Sequence, residues 1–396
     1  MKQSQSYYHK KLQMGFIDIN SKLPKPKFNK VISLFTGAGG LDLGLELAGF
    51  TTAVCVEIDL DCIETIKFNR PNWNWVKDNK GQIVGDIRNI SATQLLETGN
   101  LKKGEVGLVV GGAPCQPFSN IGKKMGRDDS KNGDLFLEFT RIVKETQPKG
   151  FIFENVSGIT QSRHSEVISH MINSFASMGY SVSKAILNAA DYGVPQKRER
   201  FILLGTLNKE APLFPLPTHY KSPTDWNVFS ADLDTKTSYA PLKWVAIKEA
   251  FKNIPPDAHL RNDYVLMNIS DVIKKRMTLI NVDENFKVLP MELRPKCWQN
   301  GKHQGVDTFG RLNPNHPSVT IRTAAYNPSK GKYIHPKENR GLSSLEMAAL
   351  QSFPMDWIFK CKKSDKITLV SAGKQIGNAV PPLLAKSIGL AMRNAI

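Results

Sequence analysis

The sequence predicts an α/β fold, a doubly wound and mostly parallel sheet, with a smaller, irregular and β-rich domain attached. Three observations carry that expectation. Apolar runs the length of buried strands recur at Val31–Phe35, Thr52–Val56, Val106–Val110 and Gly150–Phe153. Stretches with helical spacing lie between them. Beyond Pro212 the alternation stops, and prolines, asparagines and polar loops take over to about Gly341.

Length and composition set the bounds. At 396 residues there is room for two domains, and 41% hydrophobic against 22% charged residues is an ordinary soluble balance. Lysine and arginine number 53 against 36 acids, a formal charge of +17. Such an excess favours a polyanionic partner, nucleic acid first, although basic charge also serves solubility alone. The five cysteines, Cys55, Cys62, Cys115, Cys297 and Cys361, form no CxxC pair and no zinc-like spacing. Neither a disulfide framework nor a metal site is expected from them. No apolar run is long enough to span a membrane, and the N terminus lacks the apolar core of a signal peptide. The expected location is cytoplasmic.

Residues 1–30 hold seven lysines and one acid, Asp18, with Pro24 and Pro26 discouraging regular structure. They read as a basic extension, either a solvated tail or an arm against phosphates. Val31–Phe35 is then the first strand, and Thr36-Gly37-Ala38-Gly39-Gly40 turns into a helix, Leu41–Ala48, stopped by Gly49. Such a turn lets a ligand sit on backbone amides at the helix start. The second strand, Thr52–Val56, ends in Glu57-Ile58-Asp59. Glu57 stands twenty residues past Gly37, about where an acid meets a ribose hydroxyl in nucleotide-binding βαβ units. The spacing falls short of the full dinucleotide fingerprint, so a plain tight turn also explains it.

A third strand is expected at Gln82–Val84, before Gly85-Asp86-Ile87, and a fourth at Val106–Val110. The polar, glycine-rich residues 120–133 suit a surface loop, and Asp134 would cap a helix running to Thr146. The fifth strand, Gly150–Phe153, delivers Glu154-Asn155-Val156 to the same edge. A helix over Ser165–Met178, a strand over Ser181–Asn188, the charged run Gln196–Arg200 and a strand over Phe201–Gly205 complete the unit. Lys374–Pro382 opens an apolar helix, to Met392, that is regular enough to return to the first domain. The expected division is a catalytic, cofactor-binding unit of 31–215 with 370–396, and a second unit of 216–369.

Cys115 lies just past the fourth strand, flanked by Pro114 and Pro117, where open α/β sheets bind ligands. A thiolate attacks electron-poor carbon, and a carboxyl group such as Glu154 can hand a proton to the atom that gains charge. Arg198 and Arg200 could orient that carboxylate or hold a carbonyl oxygen. Singly, each has a plain structural explanation: a buried thiol, a helix cap, surface charge. Their arrival at successive strand ends points to a site.

The order of these motifs resembles that of the cytosine-C5 DNA methyltransferases paired with bacterial restriction enzymes. The matching stretches are Phe35–Gly40, Glu57–Asp59, Gly85–Ile87, Pro114–Ser119, Glu154–Val156, Gln196–Arg200 and Gln375–Val380, with weaker ones at Pro217–His219 and Leu345–Pro354. The resemblance implies a Rossmann-like, S-adenosylmethionine-dependent fold. The methionine end of that cofactor would meet Thr36, Gly37, Gly39 and Gly40, its ribose Glu57, and its adenine Phe35, Ile58, Asp86 and Ile87. Pro114, Asn378 and Val380 would complete the pocket. It further implies that Cys115 attacks C6 of a flipped-out cytosine, that Glu154 stabilises charge at N3, and that Arg200 lies near O2 with Arg198 supporting. Gln116, Ser119 and Lys123 would meet nucleic acid.

By the same resemblance, 216–369 is a target-recognition domain. Its stretch 221–310 shows no motif, although Lys296, Gln299, Asn300, Lys302, His303, Gln304 and Arg311 are chemically able to read bases. The implied partners are double-stranded DNA and, functionally, a cognate restriction endonuclease, with the protein itself a monomer. The rivals are a tRNA cytosine-5 methyltransferase, a silent nucleic-acid-binding relative and a nicotinamide-dependent oxidoreductase. The long interval before Arg311 favours DNA over tRNA, intact Cys115, Glu154 and Arg200 argue against silence, and the oxidoreductase rests on the glycine turn and Glu57 alone.

Overall fold

The computed structural model describes residues 16–19, 25–113, 135–161, 165–222, 242–299, 305 and 307–396. Seven strands form its main sheet: β1 (Lys30–Leu34), β2 (Thr51–Val56), β3 (Asn74–Trp75), β4 (Leu108–Gly111), β5 (Gly150–Val156), β6 (Ser181–Asn188) and β7 (Glu199–Thr206). Their order is β3-β2-β1-β4-β5-β7-β6. Every pairing is parallel except the two made by β7.

Helices cover both faces: α1 (Gly40–Leu47), α2 (Leu60–Asn69), α3 (Ala92–Thr98), α4 (Leu135–Thr146) and α5 (Ser165–Ser177). Further along come α6 (Ile247–Phe251), α7 (Asp271–Thr278), α8 (Ser344–Leu350), α9 (Leu369–Asn378) and α10 (Pro382–Arg393). Successive strand residues point to opposite faces, so each buried strand feeds two cores. Ile32, Leu34, Val109, Phe151 and Phe153 pack on Phe136 and Phe139 of α4 and Phe175 of α5. Val31, Leu108, Val110 and Ile152 pack on Leu41 and Leu45 of α1 and Leu384 and Ile388 of α10. The α/β expectation and the return of the last helix are thus met.

Four sequence expectations need correction. Gln82–Val84 is not a strand. The Asp78 carboxylate accepts the amides of Lys80 and Gln82, which folds 76–84 back on itself, and Asn74–Trp75 takes the edge position beside β2. The N-terminal extension is tied down in part, since Phe16–Ile17 pairs parallel with Phe214–Pro215 and Ile19 is buried. The second unit is not β-rich among its described residues: short helices, single turns and isolated bridges dominate, with one two-stranded pair, His219–Tyr220 on Leu242–Lys243.

Nor does packing follow the expected boundary at 369. Met347 and Leu350 of α8, with Phe353, Trp357 and Phe359, share a core with Ala38, Leu43, Ile63 and Ile66 of the catalytic unit. A separate, smaller core holds Ile269, Met277, Ile280, Phe286, Leu289, Trp298, Phe309 and Ile334. Apolar side chains in irregular loops bury as well as those in regular elements, and here they join 344–367 to the first unit.

Candidate functional site

Strand register decides which residues meet at the carboxyl edge of the sheet. Leu34 pairs with both Val56 and Gly111, and Gly111 pairs with Phe153. The residues that follow, Phe35, Glu57, Gly112 and Glu154, therefore emerge level. Because β7 runs the other way, its first residues reach the same edge, and Arg200 pairs with Val156. A cleft of about 660 Å³ opens there. Its walls include Phe35, Thr36, Gly37, Gly40, Glu57, Ile58, Asp86, Ile87, Gly112, Glu154, Arg200, Lys374, Asn378 and Val380.

The turn after β1 is held in an unusual shape. Phe35 has a φ of 55° and Gly37 one of 56°, and a non-glycine residue in that region carries backbone strain. The strain is supported from β2: Thr36 donates its amide to Val56 O, and the Gly37 amide donates to Glu57 Oε2 at 2.6 Å. Glu57 Oε1 accepts the Asp59 amide at 2.7 Å. Burial pushes the Glu57 carboxyl above its ordinary range, and these amides pull the other way. A Cβ on Gly37 would meet nothing nearer than 4.0 Å, so that residue faces open cleft, whereas one on Gly40 would lie 2.3 Å from Val380 O. Ile58 leaves 65% of its surface uncovered beside them. Gly39 does not line the cleft. It packs on Ile66 and Trp357, where a Cβ would approach the Ile66 side chain to 2.6 Å.

Beneath the turn, Asp42 of α1 is fully buried and accepts hydrogen bonds from Ser33 Oγ at 2.9 Å and Thr52 Oγ1 at 3.0 Å. Burial pushes its carboxyl up to about 7. It pins α1 to both β1 and β2. Nothing in the sequence flags it, because a polar residue on an apolar helix face reveals itself only when its partners are known.

On the other side of the cleft, Arg200 Nε reaches Glu154 Oε1 at 2.8 Å. Burial raises the Glu154 carboxyl, against the opposing charges of Arg200 and Arg198. Gly112 supports the pair: a Cβ there would come within 2.6 Å of Glu154 Oε2. Asn155 Nδ2 donates to Ala113 O at 3.1 Å, tying β5 to the backbone that leads into Pro114 and Cys115. Asn155 stands in the sequence only as part of Glu154-Asn155-Val156, and nothing there marks Gly112 as the support of the acid. Pro114, Cys115, Gln116, Ser119 and Lys123 lie outside the described residues, as do Asp134, Asn300, Lys302, His303 and Gln304.

Arg198, expected in a supporting role, does not itself line the cleft: it is 1% exposed and lies behind the wall, donating to Ile321 O at 2.9 Å, Gly377 O at 2.7 Å and Ala379 O at 3.1 Å. It acts through α9, holding the segment that carries Asn378 and Val380. Arg311 and the Gln299 amide nitrogen likewise donate within the chain, Arg311 also to Asn339 Oδ1 at 2.6 Å. Arg311 donates to Met277 O, Ile280 O, His335 O and Glu338 O, and Gln299 to Met291 O and Arg294 O.

The C-terminal wall is stitched to α2. Lys374 Nζ meets Asp59 Oδ2 at 2.5 Å, Ser371 Oγ donates to Asp61 Oδ2 at 2.6 Å, and Thr65 Oγ1 donates to Gln375 Oε1 at 2.6 Å. Among the described residues no group of three His, Cys, Asp or Glu could hold a metal ion.

Residues 29–394 match the family described as C-5 cytosine-specific DNA methylase. The chain is 33% identical to the Type II methyltransferase M1.HphI of Haemophilus parahaemolyticus, over 91% of this chain and 86% of that one. It is 33% identical to the Type II methyltransferase M.PspPI of a Psychrobacter species, over 91% and 78%. Among solved structures, a putative DNA modification methyltransferase encoded within an E. coli prophage superposes with a TM-score of 0.63 at 24% identity, over 92% of this chain and 98% of that one. The Entamoeba histolytica methyltransferase EhMeth gives 0.56 at 16%, over 92% and 98%. These two likenesses concern the fold.

Proposed function

The chain belongs to the C-5 cytosine-specific DNA methylase family, and from that premise we propose that it methylates C5 of a cytosine flipped out of a specific duplex sequence, with S-adenosylmethionine as donor. The single observation that carries the chemistry is the Glu154–Arg200 pair at 2.8 Å, facing the cleft beside the backbone that runs into Cys115.

The cleft suits the donor. Its volume falls within the range of about 300–1,000 Å³ usual for small-ligand sites. Gly37 leaves open space over the turn, Ile58 offers an uncovered apolar face for a purine ring, and Glu57 is an acceptor in the cleft lining that suits hydroxyls. Bound there, S-adenosylmethionine supplies an electrophilic methyl group. Phe35, Thr36, Gly37, Gly40, Glu57, Ile58, Asp86, Ile87, Asn378 and Val380 would hold it, with Pro114 by the family pattern.

Cytosine C5 is a weak nucleophile inside an aromatic ring. Addition of the Cys115 sulfur to C6 breaks the aromaticity and makes C5 enamine-like. The charge that would develop at N3 is met by the Glu154 carboxyl, whose burial favours the protonated form able to donate. Arg200 orients that carboxyl and can donate to O2 of the base. Once C5 carries the methyl group, loss of its proton to a solvent base re-forms the C5–C6 double bond and expels the Cys115 thiolate. Inside a duplex C6 is stacked out of reach, so extrusion of the base comes first and costs about a few kcal/mol. Gln116, Ser119 and Lys123 would, by the family pattern, contact the opened DNA.

Target reading belongs, in this proposal, to the part of 216–369 built around the Trp298 core, outside the cleft. The relatives' designation as Type II methyltransferases supports a role beside a cognate restriction endonuclease. Among the described residues no helix is long and apolar enough to cross a membrane, and we read the protein as a cytoplasmic monomer. The deciding experiment is Cys115→Ser: it should bind S-adenosylmethionine as the native protein does, yet transfer no labelled methyl group to duplex DNA. Methylation at the native rate by that variant would end the mechanism.

A further inference from the structure

Five carboxylates line the cleft; Asp42 is held by Ser33 and Thr52 beneath the turn, and each of the other four has its charge answered. Glu57 is held by the amides of Gly37 and Asp59, Glu154 by Arg200, and Asp86 by Arg88 two residues on. Asp59 differs, because its cation comes from the opposite wall: Lys374, on α9, spans to Asp59 at the N terminus of α2 at 2.5 Å. Both residues line the cleft. The Lys374 side chain is 57% exposed and that of Asp59 17%. A pair so exposed adds little to stability. Nor is it needed to dock α9, which Ser371–Asp61, Thr65–Gln375 and the Arg198 contacts already hold.

We propose that Lys374 is a specificity-determining residue of the cofactor cleft: by neutralising Asp59 from the facing wall, it limits how far the cleft prefers the cationic methyl donor over its neutral demethylated product. The inference rests on the S-adenosylmethionine reading above. Donor and product share nucleoside and amino-acid parts and differ by a methyl group and the sulfonium charge. A net negative wall discriminates between them by charge; a neutralised wall leaves shape to do so. Removing the Lys374 ammonium uncovers one carboxylate; its effect on the shared amino-acid part cancels in the ratio of affinities, and its pull on the sulfonium does not.

The test is titration of S-adenosylmethionine and S-adenosylhomocysteine into the full-length protein at low salt. Lys374→Met should shift the ratio of the two affinities toward the donor by on the order of fivefold, a Coulombic effect that shrinks as salt is added. Lys374→Arg should keep the native ratio. Adding Asp59→Asn to Lys374→Met should restore it, since asparagine still caps α2. If Lys374→Met weakens both ligands by one common factor, the residue only shapes the wall and the proposal falls while the cofactor reading stands. If the native protein binds neither ligand, the cofactor reading falls and takes the proposal with it.

Discussion

A methyl group added at Gly112 would lie 2.6 Å from Glu154 Oε2, so this one position reports how closely the acid is held. No rotamer of alanine relieves that contact, because the Cβ is fixed by the backbone. The carboxyl must move, and its bond to Arg200 with it. A displacement of about 1 Å at a reacting group costs on the order of a hundredfold in rate. Gly112→Ala should therefore lose methyl transfer to about that extent in single-turnover assays, while donor binding on the far side of the cleft is retained. Equal loss of both would mean that the strand end, not the acid, was disturbed. Lone residues were the most legible level where chemistry narrows the choice, as for Glu154 and Arg200. They were least legible where the side chain is absent, as at Gly112, or satisfied by unseen partners, as at Arg198.

Among elements, the pinning of α1 to β1 and β2 through Asp42 has a pH dependence whose sign follows from burial. The folded carboxyl keeps its proton up to about 7, whereas its ordinary value is 3.8. Between those limits the folded chain binds the extra proton, so this group's contribution falls as pH rises through the window and is level above it. The slope inside the window is about 1.4 kcal/mol per pH unit. Asp42→Asn has no such titration, and urea unfolding from about pH 4 to pH 8 should show the native chain losing more stability than the variant. Parallel curves for the two would clear Asp42 of the effect. Strand and helix positions were readable because apolar period and glycine turns are local signals. Antiparallel β7 was not, since a strand's direction depends on its connection rather than its composition. That direction matters: it carries Arg200 to the edge, while Arg198, two residues earlier, precedes β7 and turns into the packing around α9. Gln82–Val84 misled for a similar reason, as the Asp78 side chain competes for the backbone amides a strand would use.

Over the whole molecule, composition marked where regular alternation ends near Pro212, but not where the chain rejoins the catalytic unit, because residues 344–367 bury apolar side chains largely without a long period to betray them. What remains distinct is the small core around Trp298, whose ring lies 5.0 Å from Phe286 and 5.4 Å from Phe309. None of its residues lines the cleft. Arg311 ties this unit to 335–338 through the carbonyls of His335 and Glu338, and the apolar side chains on the two sides group into separate cores. A cavity here should thus be felt locally. Trp298→Ala removes a large buried side chain, at a cost of about 3–5 kcal/mol, and that cost falls on a unit too small to absorb it. The expected outcome is a protein that binds S-adenosylmethionine with native affinity but no longer methylates its duplex target. Amide hydrogen exchange should quicken across 269–299 and leave β1, β4 and β5 protected. If donor binding and β-sheet protection fail together with methylation, the two cores fold as one cooperative unit, and target reading cannot be assigned to the smaller of them.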